Sequence, residues 1–415
     1  MGMEKKTFGV KKTLILGMVI PVAVGSVFLM GPKCCKEGGT TNAVVSAAAL
    51  VSAAVEQSAL EITAKSAFLV EANSGKVLFT KDEHNRLPIA SMVKITTLSV
   101  IFDALEAGEI TLEQMVPVSR EASGMGGSQA FLDFEAEYSV KELIRTIIVA
   151  SANDSCVAMA ELIAGSESAF VDRMNELATR LGMENTRYAN ATGLPAAEAY
   201  STAADVAKVF QYMISSPFYD IDVTNTWMYD FAHPSGRVTG LTNTNKHAKF
   251  FDGCLGGKTG FTNEAGHCIT VSAERGKIKP IAVIIGAENS QTRFNESGAL
   301  MRHAMDSYES KLIVDKNQIV GQINVKGAMT DKIDVFAKDN FFDLVKKGDK
   351  GAAPTVAIEM NEHVKAPHKM GDAVGKIIVT DEGVVVSEID LVTGADIDSM
   401  GFFGAVKKVT RNYKI

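Results

Sequence analysis

The chain has 415 residues and a formal net charge of −7, with 46% hydrophobic and 22% charged residues. Those proportions exclude a disordered, collagenous or coiled-coil protein, and the length suggests two to three domains. The acidic balance speaks against a nucleic-acid partner, and five cysteines without a C-x-x-C spacing make neither a disulfide scaffold nor a zinc or redox motif.

Lys5, Lys6, Lys11 and Lys12 precede an uncharged run from Thr13 to Met30. Basic residues before an apolar stretch are the pattern of an export signal, and this run is also just long enough to span a membrane if it is kept. Small residues such as Ser46-Ala47-Ala48 offer a cleavage point. Residues 1–55 are therefore read as an export signal, or as an N-terminal membrane anchor and linker. In both cases the lysines place the rest of the chain outside the cytoplasm, at the outer face of the membrane or in the cell-wall space. Cys34 follows Lys33 rather than a small residue, so neither Cys34 nor Cys35 reads as a lipid-attachment site. Cys156, Cys254 and Cys268 read as buried small hydrophobes, with a disulfide between two of them left open.

Ser66 to Asp82 reads as a hairpin turning at Asn73-Ser74-Gly75. A helix is expected from Ser91 to Glu106, apolar almost all round and so buried. Ser139 and Glu142 form a capping-box pattern ahead of Leu143, Ile144, Ile147 and Ile148. Further helical patterns run to about Ser215. Strands follow at Cys268–Ser272 and Ile281–Ile285, then a helix at Glu296–Ser307. Residues 60–310 thus give an α+β domain. From about residue 311 to 400, short alternating segments separated by Gly, Asp and Lys predict a small all-β, sandwich-like domain.

The seven histidines fall in no metal-ligand spacing, and no phosphate-binding glycine loop is present. No metal and no cofactor are expected. Three short segments carry the chemistry instead. In Ser91-Met-Val-Lys94, residues three apart share a helix face, so hydroxyl and amine can meet. A helix start favours a developing oxyanion, while that dipole and burial both push the lysine toward its neutral, proton-accepting form. By itself this pattern also describes a surface lysine one turn after an N-cap. Ser151-Ala-Asn153 follows an apolar helix and could equally be a polar junction. Lys258-Thr259-Gly260, after Gly256-Gly257, offers a cation, a hydroxyl and an unobstructed backbone. On a strand edge these suit a carboxylate and a peptide lying alongside; in a loop they are a glycine turn.

The three motifs occur once each, in this order. The set resembles the active-serine penicillin-binding protein and serine β-lactamase superfamily. The surrounding segments Pro88–Lys94, Ser151–Ser155, Asn190-Ala-Thr-Gly-Leu194, Gly257–Thr262 and Asn263-Glu-Ala-Gly266 are similar to the D-alanyl-D-alanine carboxypeptidase family, the low-molecular-weight penicillin-binding proteins. The likeness runs from about Ala64 to Tyr308, and the β-rich segment that follows resembles that family's second domain.

The resemblance implies an antiparallel sheet with helices, β-lactamase/transpeptidase-like, and a D-Ala-D-Ala carboxypeptidase acting on peptidoglycan stem peptides and acylated by β-lactams. Ser91 would be the acylated nucleophile and Lys94 its base. Ser151 and Asn153 would line the cleft, relaying protons and holding the substrate amide. Lys258, Thr259 and Gly260 would receive the terminal carboxylate and the peptide, with the backbone N–H groups of Ser91 and Phe261 as oxyanion donors. Arg293 would help orient the carboxylate, although an ion pair with Glu296 fits its position equally well.

A class A β-lactamase needs a Glu-x-x-x-Asn segment after the second motif, and no glutamate between Glu161 and Thr202 satisfies it. Such an enzyme also leaves residues beyond 311 unexplained. Endopeptidase action uses the same motifs and stays open. A non-catalytic wall-binding protein would be expected to have lost Ser91, Lys94 or Lys258, and all are present.

Residues 401–415 carry Lys407, Lys408, Arg411 and Lys414 and no acid. As a helix this basic amphipathic tail would align Phe402, Val406, Val409 and Tyr413, the pattern of a segment lying on an anionic membrane surface. A last strand packed on the β-domain is the competing expectation.

Overall fold

The structure, a computed structural model, describes residues 60–349, 353–381 and 383–413. The stretch read as an export signal or anchor lies outside the described residues, as does Lys414. Two compact units follow one another in the chain, changing over at Glu309–Ser310.

In the first unit, β1 (Ser66–Glu71) and β2 (Val77–Lys81) form the expected hairpin, with Gly75 at φ 71° in the turn. The Glu71 carboxylate fixes that turn by accepting from the backbone N–H of Asn73 and Ser74. β3 (Cys254–Thr262), β4 (Gly266–Ala273) and β5 (Pro280–Ala287) complete an antiparallel five-stranded sheet of order β2-β1-β5-β4-β3. Its strands alternate sides, and the central strands β1, β4 and β5 are buried on both. Phe68, Val70, Val283 and Ile285 face one core, and Ala67, Leu69, Ala282 and Ile284 face the other. β3 is the sheet edge, so one side of the Lys-Thr-Gly strand has no strand neighbour.

Helix α1 (Lys94–Glu106) is buried along nearly its whole length, as its apolar sequence requires. It begins later than expected: Ala90–Val93 is a 3-10 turn, and Ser91 sits in that turn. Helix α2 (Val140–Ala150) starts at Ser139, whose Oγ accepts from the Glu142 N–H at 3.3 Å. The Glu142 carboxylate is engaged by the Tyr229 hydroxyl and Arg145, so the reciprocal half of the capping box is diverted. Ser151 ends α2 in the left-handed region, at φ 61°, and α3 (Asn153–Ala164) follows at once. Helices α4 (Glu167–Arg180) and α5 (Ala203–Ser215) enclose the same core, while α6 (Ser290–Ser307) packs Phe294, Leu300 and Met301 on the opposite face.

The second unit has a six-stranded sheet built from β6 (Ile319–Lys326), β7 (Lys332–Ala337), β8 (Thr355–Met360), β9 (His363–Lys365), β10 (Ala373–Asp381) and β11 (Val384–Thr393), in the order β8-β10-β11-β7-β6-β9. A ribbon of Tyr308–Val314 with Phe341–Lys346 shares its core through Val314 and Phe341. The unit is all-β apart from α7 (Phe402–Tyr413), so the tail is a helix rather than a last strand. Lys408 ties it down, donating to the Ala328 carbonyl at 2.8 Å and pairing with Asp331 at 2.5 Å. Phe402, Phe403, Val406 and Val409 remain exposed.

Candidate active site

Ser91 stands one turn before α1 and Lys94 is the first residue of the helix. Lys94 Nζ donates to Ser91 Oγ at 3.0 Å and to the Thr192 carbonyl at 2.5 Å. The side chain is wholly buried. Burial lowers its pKa to about 8, against the opposing pull of the Asp154 carboxylate. A lysine so placed can take a proton from the hydroxyl it touches. Ala90, just before the serine, is held at φ 49°, a strained conformation for a residue with a Cβ.

The Asn190-Ala-Thr-Gly-Leu segment explains how this geometry is held. Asn190 Oδ1 accepts from the N–H and Oγ1 of Thr192, both at 3.1 Å, and from Gly193 N–H at 2.7 Å. That turn presents the Thr192 carbonyl to Lys94. Gly193 sits at φ 80°, and a Cβ there would lie 2.1 Å from the Ala90 carbonyl oxygen. Only glycine lets the loop press so closely on the nucleophile turn.

At the second motif, Asn153 Nδ2 donates to the Gly126 carbonyl and its backbone N–H to the Ser128 carbonyl, both at 2.7 Å. Asp154 accepts from the N–H groups of Ala130 and Leu132, so α3 carries the loop over the cleft wall. Ser151 Oγ and Asn153 Oδ1 are buried without a hydrogen-bond partner. Orphaned buried polar atoms are uncommon and call for an explanation; a substrate amide or a transferred proton supplies one.

Lys258, Thr259 and Gly260 lie on edge strand β3, not in a glycine turn. Lys258 is 3% exposed and donates to the neighbouring Thr259 carbonyl at 2.8 Å. Burial first, and then the charge of Lys94, holds its pKa well below the usual lysine range. An anionic ligand would restore its charged form. Thr259 Oγ1 donates to Thr244 Oγ1 at 2.8 Å. A Cβ on Gly260 would fall 2.7 Å from the Ile89 carbonyl oxygen and 3.1 Å from the Ser91 nitrogen. The glycine therefore allows β3 to lie against the nucleophile turn, bringing the Ser91 and Phe261 backbones together. The Phe261 side chain is 54% exposed and stacks on His267 across the β3–β4 pair at 4.3 Å.

Arg293 and Glu296 do not pair. The Glu296 carboxylate accepts from Thr63 N–H, Thr63 Oγ1 and Ala64 N–H. Arg293 donates to the Gly260 carbonyl at 3.1 Å and to the Cys268 carbonyl at 3.4 Å, bracing β3 from behind. All three described cysteines are free and buried, which leaves no disulfide among them. Burial pushes the Cys156 thiol up to about 12.

Thr192, Gly126, Ser128 and Thr244 belong to the site but were not singled out in the sequence. Only the Asn190–Leu194 segment carried a signal, as a stretch shared with the resembled family.

Residues 52–289 match the family model described as D-alanyl-D-alanine carboxypeptidase, and residues 308–399 match that of the penicillin-binding protein 5 C-terminal domain. The chain is 36% identical over 347 residues to the D-alanyl-D-alanine carboxypeptidase DacF of Bacillus subtilis (strain 168), covering 83% of this chain and 88% of the relative. It is 29% identical over 353 residues to the D-alanyl-D-alanine carboxypeptidase DacC of Escherichia coli (strain K12), covering 83% and 87%. The fold is similar to that of penicillin-binding protein 5 from Haemophilus influenzae, with a TM-score of 0.66 and 26% identity over 82% of this chain and 98% of that one.

Proposed function

This chain belongs to the D-alanyl-D-alanine carboxypeptidase family, and from that premise we propose how its own residues carry out the reaction. The enzyme is a serine-type D-Ala-D-Ala carboxypeptidase, which removes the terminal D-alanine of peptidoglycan stem pentapeptides and is acylated by β-lactams. Ser91 attacks the carbonyl between the two D-alanines as Lys94 takes its proton. The backbone N–H groups of Ser91 and Phe261 receive the developing oxyanion. Ser151 relays a proton to the departing D-alanine amine, and Asn153 holds the substrate amide. Lys258 and Thr259 receive the terminal carboxylate, Gly260 leaves the strand edge open for the peptide, and Arg293 positions the strand that carries them. Water then hydrolyses the Ser91 ester. A β-lactam fits the same path because it presents a strained amide and a carboxylate.

The observation that carries this reading is the contact of Lys94 Nζ with Ser91 Oγ beside a sheet-edge Lys-Thr-Gly. Mass spectrometry of the protein with a D-Ala-D-Ala pentapeptide and with benzylpenicillin tests it. Loss of one D-alanine from the peptide, and a penicilloyl adduct on the tryptic peptide containing Ser91, are expected. An unmodified serine and an intact pentapeptide would refute it.

The substrate places the working site outside the cytoplasm, which accords with the lysine-led apolar run of the N-terminus. We further propose contact with the outer face of the cytoplasmic membrane through α7. Its exposed Phe402, Phe403, Val406 and Val409, with Lys407 alongside, support this. Among the described residues no helix is long and apolar enough to cross a membrane.

A further inference from the structure

The loop before α2 that reaches Asn153 is held at two places. On one side the Asp154 carboxylate takes the N–H groups of Ala130 and Leu132, and the loop gives the Gly126 and Ser128 carbonyls to Asn153. On the other it is gripped by the turn of a two-stranded hairpin, Met228–Ala232 with Val238–Thr242. Pro234-Ser235-Gly236 makes that turn, with Gly236 at φ 83° donating its N–H to the His233 carbonyl. Arg237 donates to the Phe131 carbonyl at 2.5 Å and to the Asp133 carboxylate at 2.7 Å. Ser235 Oγ donates to the same carboxylate at 2.7 Å.

His233 is the centre of this grip, and its side chain is wholly buried. Nδ1 lies 2.8 Å from the Tyr138 hydroxyl and 3.1 Å from the Arg237 guanidinium, and Nε2 lies 2.8 Å from Thr239 Oγ1. The Tyr138 hydroxyl accepts from the Asp133 N–H at 3.1 Å, which leaves its own proton for Nδ1. A guanidinium has only protons to offer. The network therefore assigns Nδ1 as an acceptor and puts the proton of the neutral ring on Nε2. A second proton would fall on Nδ1, facing Arg237. The Asp133 carboxylate, 3.8 Å away, and Asp154 favour that proton, but burial first, and then the Arg237 charge, hold the pKa below the ordinary histidine value.

We propose that His233 is a pH-sensitive positioning residue: neutral, it lets Arg237 hold the loop that aligns Asn153, and protonated, it displaces Arg237 and loosens that loop, so that acylation is lost in acid. The inference rests on the role proposed above for Asn153. An opened loop brings the imidazole to water, where it takes a proton more readily, so falling pH favours the open form. The device is separate from Lys94, which touches the reacting oxygen and titrates near 8.

The test is the second-order rate of acylation of the full chain by benzylpenicillin, whose side-chain amide offers Asn153 a partner, measured as a function of pH. Below about 8 the wild type should lose about tenfold per pH unit through Lys94, and should fall more steeply once His233 is protonated. His233→Asn keeps an acceptor where Nδ1 stands and does not titrate. It should match the wild type at neutral pH and show no steepening. His233→Phe lacks the acceptor at every pH and should acylate up to about 10²-fold more slowly, the cost of a misplacement near 1 Å. Deuterium exchange of residues 124–135, corrected for its intrinsic pH dependence, should quicken in acid in the wild type and not in His233→Asn. If His233→Phe does not fold, the comparison with His233→Asn decides. A wild-type profile without the steepening, or a steepening kept in His233→Asn, would overturn the inference while acylation itself upholds the enzyme. Absence of any penicillin adduct on the wild type would overturn the function and the inference together.

Discussion

Lys94 Nζ lies 3.0 Å from Ser91 Oγ, and the lysine is completely buried. A hydroxyl beside a desolvated amine is an activated nucleophile. Ser91→Ala should therefore abolish covalent penicillin labelling with little change in fold, because one hydroxyl is lost from a half-buried turn. Lys94→Ala should slow acylation by ~10²–10⁴, the range of a positioned general base. Stopped-flow acylation with a fluorescent penicillin measures both; a near-normal rate in Lys94→Ala would mean another group takes the proton.

The same lysine sets the pH dependence. Its pKa is lowered to about 8 by burial, and only the neutral amine accepts a proton. Acylation should rise with pH and level off above about 8. Stability follows the same group: between about 8 and its ordinary value of 10.5, the unfolded chain binds the proton that the native site releases. Folding thus gains stability from this lysine as pH rises through that window. A kcat/KM profile against pH checks the first statement. Loss of this contribution to the upward slope of unfolding free energy in Lys94→Met checks the second.

Gly193 makes the nucleophile turn sensitive to a remote loop. Its φ of 80° and the 2.1 Å approach of an added Cβ to the Ala90 carbonyl leave no room for a side chain. Gly193→Ala should displace the turn that bears Ser91. A shift near 1 Å at a reacting atom costs about 10²-fold, so acylation should fall at least that far, with a lowered Tm. Wild-type acylation in this variant would show that the loop does not hold the serine.

Parts of this site were legible in the sequence because they are local. Ser91 and Lys94 meet through spacing alone, and the burial of α1 follows from its apolar composition. What was not legible depends on contacts between distant segments. The Gly126 and Ser128 carbonyls reach Asn153 only because Asp154 clamps Ala130 and Leu132. Thr244 meets Thr259 through tertiary packing. The 3-10 start at Ala90 is likewise imposed by β3 and the Gly193 loop pressing from two sides. Arg293 and Glu296 share a helix and have opposite charge, yet each is claimed by a backbone outside that helix.

Carboxylate recognition predicts a sharp dependence on the substrate terminus. Lys258 is buried beside Lys94, and its nearest acceptor is its own strand's carbonyl. An incoming carboxylate gives that amine a charged partner, and charge-assisted hydrogen bonds are roughly twice as strong as neutral ones. A pentapeptide amidated at its C-terminus should react at least ~10-fold more slowly than the free acid, a loss of about 1.4 kcal/mol in transition-state binding. Equal rates on acid and amide, measured by D-alanine and D-alaninamide release, would contradict the role of Lys258 and Thr259.

The tail poses the last question, and the helix α7 sharpens it. Phe402, Phe403, Val406 and Val409 are exposed, while Lys408 turns back to Asp331 and the Ala328 carbonyl. The helix is thus fastened to its own domain by a lysine and leaves its apolar residues facing solvent. Exposed apolar side chains next to basic ones favour an anionic interface. With so few of them, binding should be weak and should fall as salt screens the lysines. Liposome co-sedimentation separates the outcomes, using a chain that starts at Leu60 with and without residues 401–415. The longer form should pellet with anionic vesicles at low salt and be released at 0.5 M, a concentration several times physiological that shortens the screening length to about half. The shorter form should stay in the supernatant throughout. If both remain soluble at low salt, α7 does not hold the enzyme to the membrane. Any anchoring would then fall to the apolar run that begins at Thr13.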